Sequence, residues 1–228
     1  MTARPAVVVM VKAPHLGTAK SRLLPLLGRA GCARLASVLL AQAAATALEV
    51  SPGGAFVAVH PPQALAALAA GLPAHHLVAQ RGGHLGERMA EAAGAAFAAG
   101  YGPVAVIGTD VPLLAPDDLR RAFDVLGSGC DVVFGPAHDG GYYLVGLARP
   151  LPAVFEIAPH LWGGPLVLDA SLEHSRRAGL EVGLLTPLPD LDTPDDARAA
   201  LADMALPAAV RAVLTRREPA TSAAAETT

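Results

Sequence analysis

Apolar positions along this chain fall into two kinds of run. Short continuous blocks, often bounded by glycine or proline, predict strands buried on both faces. They are Ala6–Val11, Ala55–His60, His76–Gln80, Val104–Ile107, Asp131–Phe134, Tyr142–Leu147 and Leu180–Leu185. Longer stretches with apolar and polar positions interleaved predict helices between them. These run from Gly28 to Glu49, from Pro61-Pro62 to near Gly71, over Glu87–Ala99, from Pro116 to Leu126 and over Leu166–Ala178. A closing helix opens at Thr193-Pro194-Asp195-Asp196, with threonine as N-cap, proline in the first turn and acids beside the helix dipole.

Strands alternating with helices predict a mostly parallel α/β sheet. A loop, not a helix, separates Asp131–Phe134 from Tyr142–Leu147, so one antiparallel element is expected there. No repeat or interior linker divides the chain, and one domain over residues 1–215 is expected, followed by a small, polar, disordered tail over 216–228. In such sheets ligands lie at the carboxyl ends of the strands. That rule gathers the turns Lys12–Arg22, Gln80–Gly86, Thr109-Asp110 and His138–Gly141 at one edge.

Composition narrows the chemistry. Aromatic residues are 4% of the chain against 53% hydrophobic, so the core must be built mainly of Ala, Val and Leu. The net charge of −3 argues against a general nucleic-acid binder. The two cysteines, Cys32 and Cys130, lack metal or redox spacing and read as small buried hydrophobes in a reducing compartment. No signal peptide is apparent, and Gln42 and Thr46 interrupt the nearest approach to a membrane span, Leu35–Leu48. A cytoplasmic protein that binds neither membrane nor nucleic acid is expected.

Of the 17 Lys and Arg residues only two are lysines, Lys12 and Lys20, and both lie in the first strand–loop–helix segment, VVVMVKAPHLGTAKSRL. A compact ammonium that closes on a phosphate is one reason to keep lysine there. Asp110 ends a buried run, after Gly108 and before Pro112, where a carboxylate facing a phosphate loop suits a divalent cation; a turn or capping role is the alternative. The strict Asp-x-Asp pattern is absent, so a second ligand must come from elsewhere. Asp192 is the candidate, with an accessory helix cap as its alternative. In His138-Asp139-Gly140-Gly141-Tyr142-Tyr143, Asp139 can orient an acceptor hydroxyl or act as general base, and Gly140, Gly141 and Tyr142 can approach the acceptor. A tight β-turn accounts for the same residues. Gln80 and Gly83, in the glycine-rich turn QRGGHLGER, can meet a nucleobase, ribose or phosphate. The patterns G-x-G-x-x-G, G-x-x-x-x-G-K-[ST] and G-x-S-x-G are absent, and the histidines have no zinc spacing.

The segments VKAPHLGTAKSRL, QRGGHLGERM, GTDVPLL, GPAHDGGYYLVGL and LPDLDTPDD, in this order, resemble the DUF2064 family, MobA-like glycosyltransferases of the arsenosugar-biosynthesis type. The resemblance runs from about Val7 to Ala200. It implies a GT-A nucleotide-diphospho-sugar transferase fold, a three-layer αβα sandwich with a mostly parallel mixed sheet. It further implies that Lys12, Gly17, Lys20 and Arg22 form a nucleotide-phosphate loop and that Asp110 and Asp192 hold Mg²⁺ or Mn²⁺. Two positions depart from the family pattern: Val111 stands where a cysteine is common, and Trp162-Gly-Gly-Pro165 lacks a hydroxyl of the W-G-T-P form.

The function expected is transfer from a nucleotide-activated donor to a small-molecule acceptor, led by glycosyl transfer from a nucleotide sugar. Nucleotidyl transfer from a nucleoside triphosphate, releasing pyrophosphate, is the alternative. A nucleotide-sugar-binding protein without catalysis is the third reading. The fold also allows a homodimer.

Overall fold

The apolar blocks become strands because their β-branched residues suit a pleated surface covered on both sides. A computed structural model of the chain describes residues 4–14, 19–69, 71 and 76–216. The predicted Gly17 and most of the predicted tail lie outside the described residues.

The strands are β1 (Arg4–Lys12), β2 (Ala55–His60), β3 (His76–Ala79), β4 (Tyr101–Ile107), β5 (Val132–Pro136), β6 (Tyr142–Leu147) and β7 (Val182–Leu184). They form one sheet in the order β3-β2-β1-β4-β6-β5-β7. β1 pairs parallel with β2 and β4, β2 with β3, and β5 with β7. β6 runs antiparallel to both β4 and β5, as the short loop before it predicts. The carboxyl ends of six strands and the amino end of β6 therefore share one edge. Strand order reverses between β1 and β4, the crevice where such sheets take ligands.

Alternate residues of β1 face opposite layers. Val7, Val9 and Val11 pack with Leu40 and Ala44 of α1 (Leu24–Val50) and with Leu119 and Ala122 of α4 (Pro116–Gly127). Val8 and Met10 pack with Met89 and Ala93 of α3 (Leu85–Ala98), and Leu172 of α5 (Val167–Arg177) joins the same layer. The short α2 (Leu65–Ala69) follows a 3₁₀ turn at Pro62–Ala64. This is the expected three-layer αβα sandwich.

A third apolar cluster holds the site together. Leu23, Leu27, Cys32, Leu35 and Leu39 pack against Leu191, Ala197, Leu206, Val210 and Leu214. It ties the first loop to the turn after β7 and to the helices α6 (Pro194–Ala202) and α7 (Ala208–Thr215).

Three elements differ from the sequence expectation. The first long helix was expected from Gly28; helical residues begin at Leu24 and Gly28 breaks them with φ 63 and ψ 177, a left-handed φ that glycine tolerates. The closing helix is two helices, because the chain leaves helical geometry at Asp203 and resumes after Pro207. Ser21–Val50 is long and apolar enough to cross a membrane by length and composition, which the interruptions at Gln42 and Thr46 had argued against. One side of it is packed within the fold, with Leu40, Ala43, Ala44 and Ala47 in the sheet layer and Leu35 and Leu39 beside α7, while Leu26 is exposed.

Candidate active site

The turns gathered at the carboxyl edge enclose a cavity of about 880 Å³. Lys12, the last residue of β1, is exposed and lines it, as does the exposed Arg22. His60, the last residue of β2, stands in register with Lys12. Burial first, then the charges of Arg88 and Lys12, pushes the His60 imidazole below its ordinary range. One wall is thus rich in positive charge.

Asp110 and Asp192 line the same cavity, and the cation between them is Lys20. Its ammonium lies 2.5 Å from Oδ1 of Asp110 and 2.9 Å from Oδ1 of Asp192, and it donates to the Leu191 carbonyl at 2.8 Å. All three ammonium donors are used. The Lys20 side chain is 5% exposed, against 55% for Asp110 and 32% for Asp192. Burial pushes the Lys20 pKa down, but the two carboxylates more than offset this and the net direction is up. Lys20 is the one non-glycine residue with positive φ among the described residues, at φ 56 and ψ 37. That conformation costs about 1–2 kcal/mol. The Lys20 carbonyl accepts from the Leu23 amide at 2.9 Å and from the Cys32 thiol at 3.3 Å, which hold the turn in place.

Local structure fixes the acid pair. The Leu191 amide donates to the Asp110 carbonyl at 2.8 Å, so the β4 turn and the turn before α6 are bonded directly. The cap of α6 is the one the sequence predicts, but it is completed by Asp196, which accepts from the amides of Asp192 and Thr193 at 3.0 and 2.7 Å while Thr193 Oγ1 accepts from the Asp196 amide. The Asp192 side chain is therefore left out of the cap.

Asp139 lines the cavity and is exposed; its Oδ1 accepts from the Gly141 amide at 2.8 Å, making the tight turn also read from the sequence. Gly141 lines the cavity as well. Gly140 has φ 87 and a Cβ there would collide with Pro165, so its smallness serves the close approach of the Trp162–Pro165 stretch. Tyr142 borders the cavity, but its ring packs on Phe134 at 5.1 Å between centroids and burial pushes its phenol well up, partly offset by Ser171. That hydroxyl is buried. Gln80 is 5% exposed, and its amide nitrogen donates to the carbonyls of Val11 and Ala58 at 3.1 and 2.7 Å. The Gly83 amide is committed to Glu87 Oε2 at 2.6 Å and is not open to a phosphate in this arrangement.

Among the lining residues to which the sequence assigned no role are His60, Arg88, Trp162 and Asp190. Trp162 stacks on His84 at 6.2 Å, and Gly86 leaves room for its ring. Burial, then the charges of Asp139, Asp196 and Asp192, raises the Asp190 pKa against the pull of a backbone hydrogen bond. The carboxyl-edge rule points to His60, and Arg88, Trp162 and Asp190 lie inside segments that already stood out.

Among the described residues no three or more His, Cys, Asp or Glu side chains converge as a metal site. Two carboxylates converging on one cation still fit Mg²⁺ or Mn²⁺, which take one or two carboxylates and complete their shell with phosphate and water.

A family model described as uncharacterized protein conserved in bacteria, DUF2064, matches residues 36–160, more than half of the chain. The chain belongs to the DUF2064 family. The match covers Asp110 and the Asp139 turn, while the Lys12–Arg22 loop and Asp192 fall outside it. This DUF2064 protein is similar in structure to a provisionally named nucleotide-diphospho-sugar transferase from Desulfovibrio desulfuricans G20, with 29% identity, TM-score 0.75, and coverage of 93% of this chain and 94% of that one. CMP:2-keto-3-deoxy-manno-octonic acid synthetase complexed with CTP shares the fold at 17% identity and TM-score 0.53, covering 88% of this chain and 99% of that one. So does glucosyl-3-phosphoglycerate synthase from Mycobacterium tuberculosis in complex with Mn²⁺, UDP and glucosyl-3-phosphoglycerate, at 14% identity and TM-score 0.53, with coverage of 87% and 76%. No curated protein matches the chain. The fold is nucleotide-diphospho-sugar transferase-like, and these neighbours are transferases.

Proposed function

We propose that this protein is a metal-dependent transferase that moves a sugar from a nucleoside-diphosphate donor to a small-molecule acceptor. The observation that carries the reading is the cavity's mixed charge, lined by Lys12, Arg22 and Arg88 and by the Asp110–Asp192 pair. A diphosphate needs both halves: cations for its oxygens, and carboxylates for the metal that accompanies it. Mn²⁺ and UDP together in a neighbour of this fold support the assignment of metal and nucleotide.

In this reading the bond from the donor sugar's anomeric carbon to the diphosphate oxygen breaks. A bond from that carbon to the acceptor oxygen forms, and the nucleoside diphosphate departs. Lys12, Arg22 and Arg88 offset the charge that develops on the departing group. Mg²⁺ or Mn²⁺, held by Asp110 and Asp192, would supply further compensation of that charge. Asp139 orients the acceptor hydroxyl and takes its proton: one carboxylate oxygen is fixed by Gly141 and the other is uncommitted among the described residues. Gly141 and the backbone of Tyr142 border the acceptor side, with Gly140 holding the Pro165 stretch against it. Gln80 serves the nucleobase, because the carbonyls that bind its amide nitrogen leave its oxygen as an acceptor for a base N–H. We place the protein in the cytoplasm and expect it to contact neither membrane nor nucleic acid.

Nucleotidyl transfer is the second reading, favoured by the likeness to a fold neighbour complexed with CTP. The same cavity would hold a triphosphate whose α-phosphorus is attacked as pyrophosphate leaves. Incubation with each nucleoside triphosphate and candidate phosphate acceptors, assayed for pyrophosphate, separates the two. Glycosyl transfer predicts no release, and robust acceptor-dependent release overturns it. Nucleotide binding indifferent to EDTA and unchanged in Asp110→Ala would instead mark a protein that binds nucleotide sugars without catalysis.

A further inference from the structure

The point at which Asp110 and Asp192 converge is occupied by an ammonium from the chain itself. The Oδ1 atoms of both acids that would hold a metal's charge are 2.5 and 2.9 Å from Lys20 Nζ. A divalent cation with oxygen distances of about 2.1 Å cannot share that point with an ammonium. On the outer carboxylate oxygens it would still sit beside a like charge. The lysine is built into its position. Its turn is left-handed, its carbonyl is held by Leu23 and Cys32, and its third ammonium hydrogen goes to the Leu191 carbonyl. The acids remain half open to the cavity, so phosphate and metal can reach the pair from that side.

We infer that Lys20 is a resident counter-ion that closes the metal position until a nucleotide diphosphate draws its ammonium onto phosphate oxygen. This rests on the metal-dependent reading above and adds a coupling to it. Metal and nucleotide enter together, because the nucleotide draws off the ammonium that excludes the metal and the metal takes the carboxylates that would draw it back. Without nucleotide the acid pair is half neutralised by the ammonium and takes up metal weakly. With nucleotide the ammonium exchanges two carboxylates for a phosphate and the freed carboxylates accept the cation. The exchange is non-covalent and conserves charge. It also gives Lys20 both of its apparent partners, acid and phosphate, in successive states.

Two measurements test this. Mn²⁺ binding, read by loss of the free-ion paramagnetic resonance signal, is compared in wild type, Lys20→Met and Lys20→Met/Asp110→Asn with no nucleotide present. Lys20→Met should bind Mn²⁺ at least about ten-fold more tightly than wild type, a typical coupling between two sites, and the double variant should lose the gain. Equal affinity in wild type and Lys20→Met, abolished by Asp110→Asn, overturns the counter-ion role and leaves the metal site standing. Weaker binding in Lys20→Met does the same, marking Lys20 as a support for the acids. If Mn²⁺ binds none of these proteins, with or without UDP or GDP, the metal reading falls and the inference with it.

The second measurement needs no variant. The chain has only two lysines, so ¹⁵N-lysine labelling yields two side-chain ammonium signals. The caged Lys20 signal should persist with Mg²⁺ alone and move on adding Mg²⁺ with UDP or GDP. A signal unmoved when a nucleotide is demonstrably bound overturns the displacement.

Discussion

Asp190 lines the cavity in an environment that disfavours its charge. Its carboxyl is partly buried and faces the charges of Asp139, Asp192 and Asp196, which raise its pKa. A carboxylate whose folded pKa lies above its unfolded value opposes folding while ionised, and the opposition is relieved as pH falls through the raised pKa. Asp190→Asn should therefore raise Tm at pH 7, and the gain should shrink in acid; an unchanged or lower Tm at pH 7 would show that the repulsion is offset. Asp190 shares that cavity with Asp192. Lys12 is the complementary case, exposed at the end of a buried strand. Lys12→Met should weaken nucleoside diphosphate binding about ten- to hundred-fold, the worth of a charge-assisted hydrogen bond. Isothermal titration would check it, and unchanged affinity would remove Lys12 from the phosphate wall.

The turns work because the elements behind them are pinned. Leu191 is fully buried in the cluster with Leu23, and its main chain bonds both Asp110 and Lys20. Leu191→Ala should cost about 2–5 kcal/mol by urea unfolding. Gly140→Ala meets both a left-handed φ and Pro165, and should destabilise by about 1–3 kcal/mol. A neutral result would show that the Trp162–Pro165 stretch moves aside readily. Much at this scale was legible in the sequence. The antiparallel β6, the threonine cap of α6 and the glycine-rich turn before α3 follow from loop length, capping chemistry and glycine spacing. The second closing helix was not, because its short apolar pattern follows a proline break that reads as an ending. Nor was Lys20's partner legible. The lysine lies 172 residues from Asp192, and local pattern carries no information about which charge a folded loop will meet. Charge type pointed to phosphate, whereas packing of Leu23 on Leu191 delivered the ammonium to the acids.

At the scale of the molecule, the parallel sheet brings the first loop, the β4 turn and the turn before α6 to one edge, and the strand reversal between β1 and β4 opens the crevice they share. The candidate residues were legible because the carboxyl-edge rule depends only on strand order and direction. The polarity of the cavity was not, since it depends on side chains such as Arg88 and His60 that face it from different elements. His60 reports that polarity. Burial, then Arg88 and Lys12, lowers its pKa, so it contributes stability above the unfolded value of about 6.5 that is lost as pH falls below it. A diphosphate between those cations would reverse their effect and raise the His60 pKa. Nucleotide binding near pH 6 should therefore take up protons, seen as a dependence of titration heat on buffer ionisation enthalpy, and the uptake should vanish in His60→Gln. Heat independent of buffer would argue that no phosphate lies beside Arg88 and Lys12.

A metal–diphosphate unit held by Lys12, Arg22 and Arg88 and by the Asp110–Asp192 pair is the centre of the proposed mechanism. Its most direct test is calorimetric titration of UDP and GDP into wild type and Asp110→Asn, with Mn²⁺ and with EDTA. At least one nucleotide should bind with Mn²⁺, and binding should fall by at least about ten-fold in EDTA and likewise in Asp110→Asn. Equal binding with Mn²⁺ and with EDTA, unchanged in the variant, would contradict it.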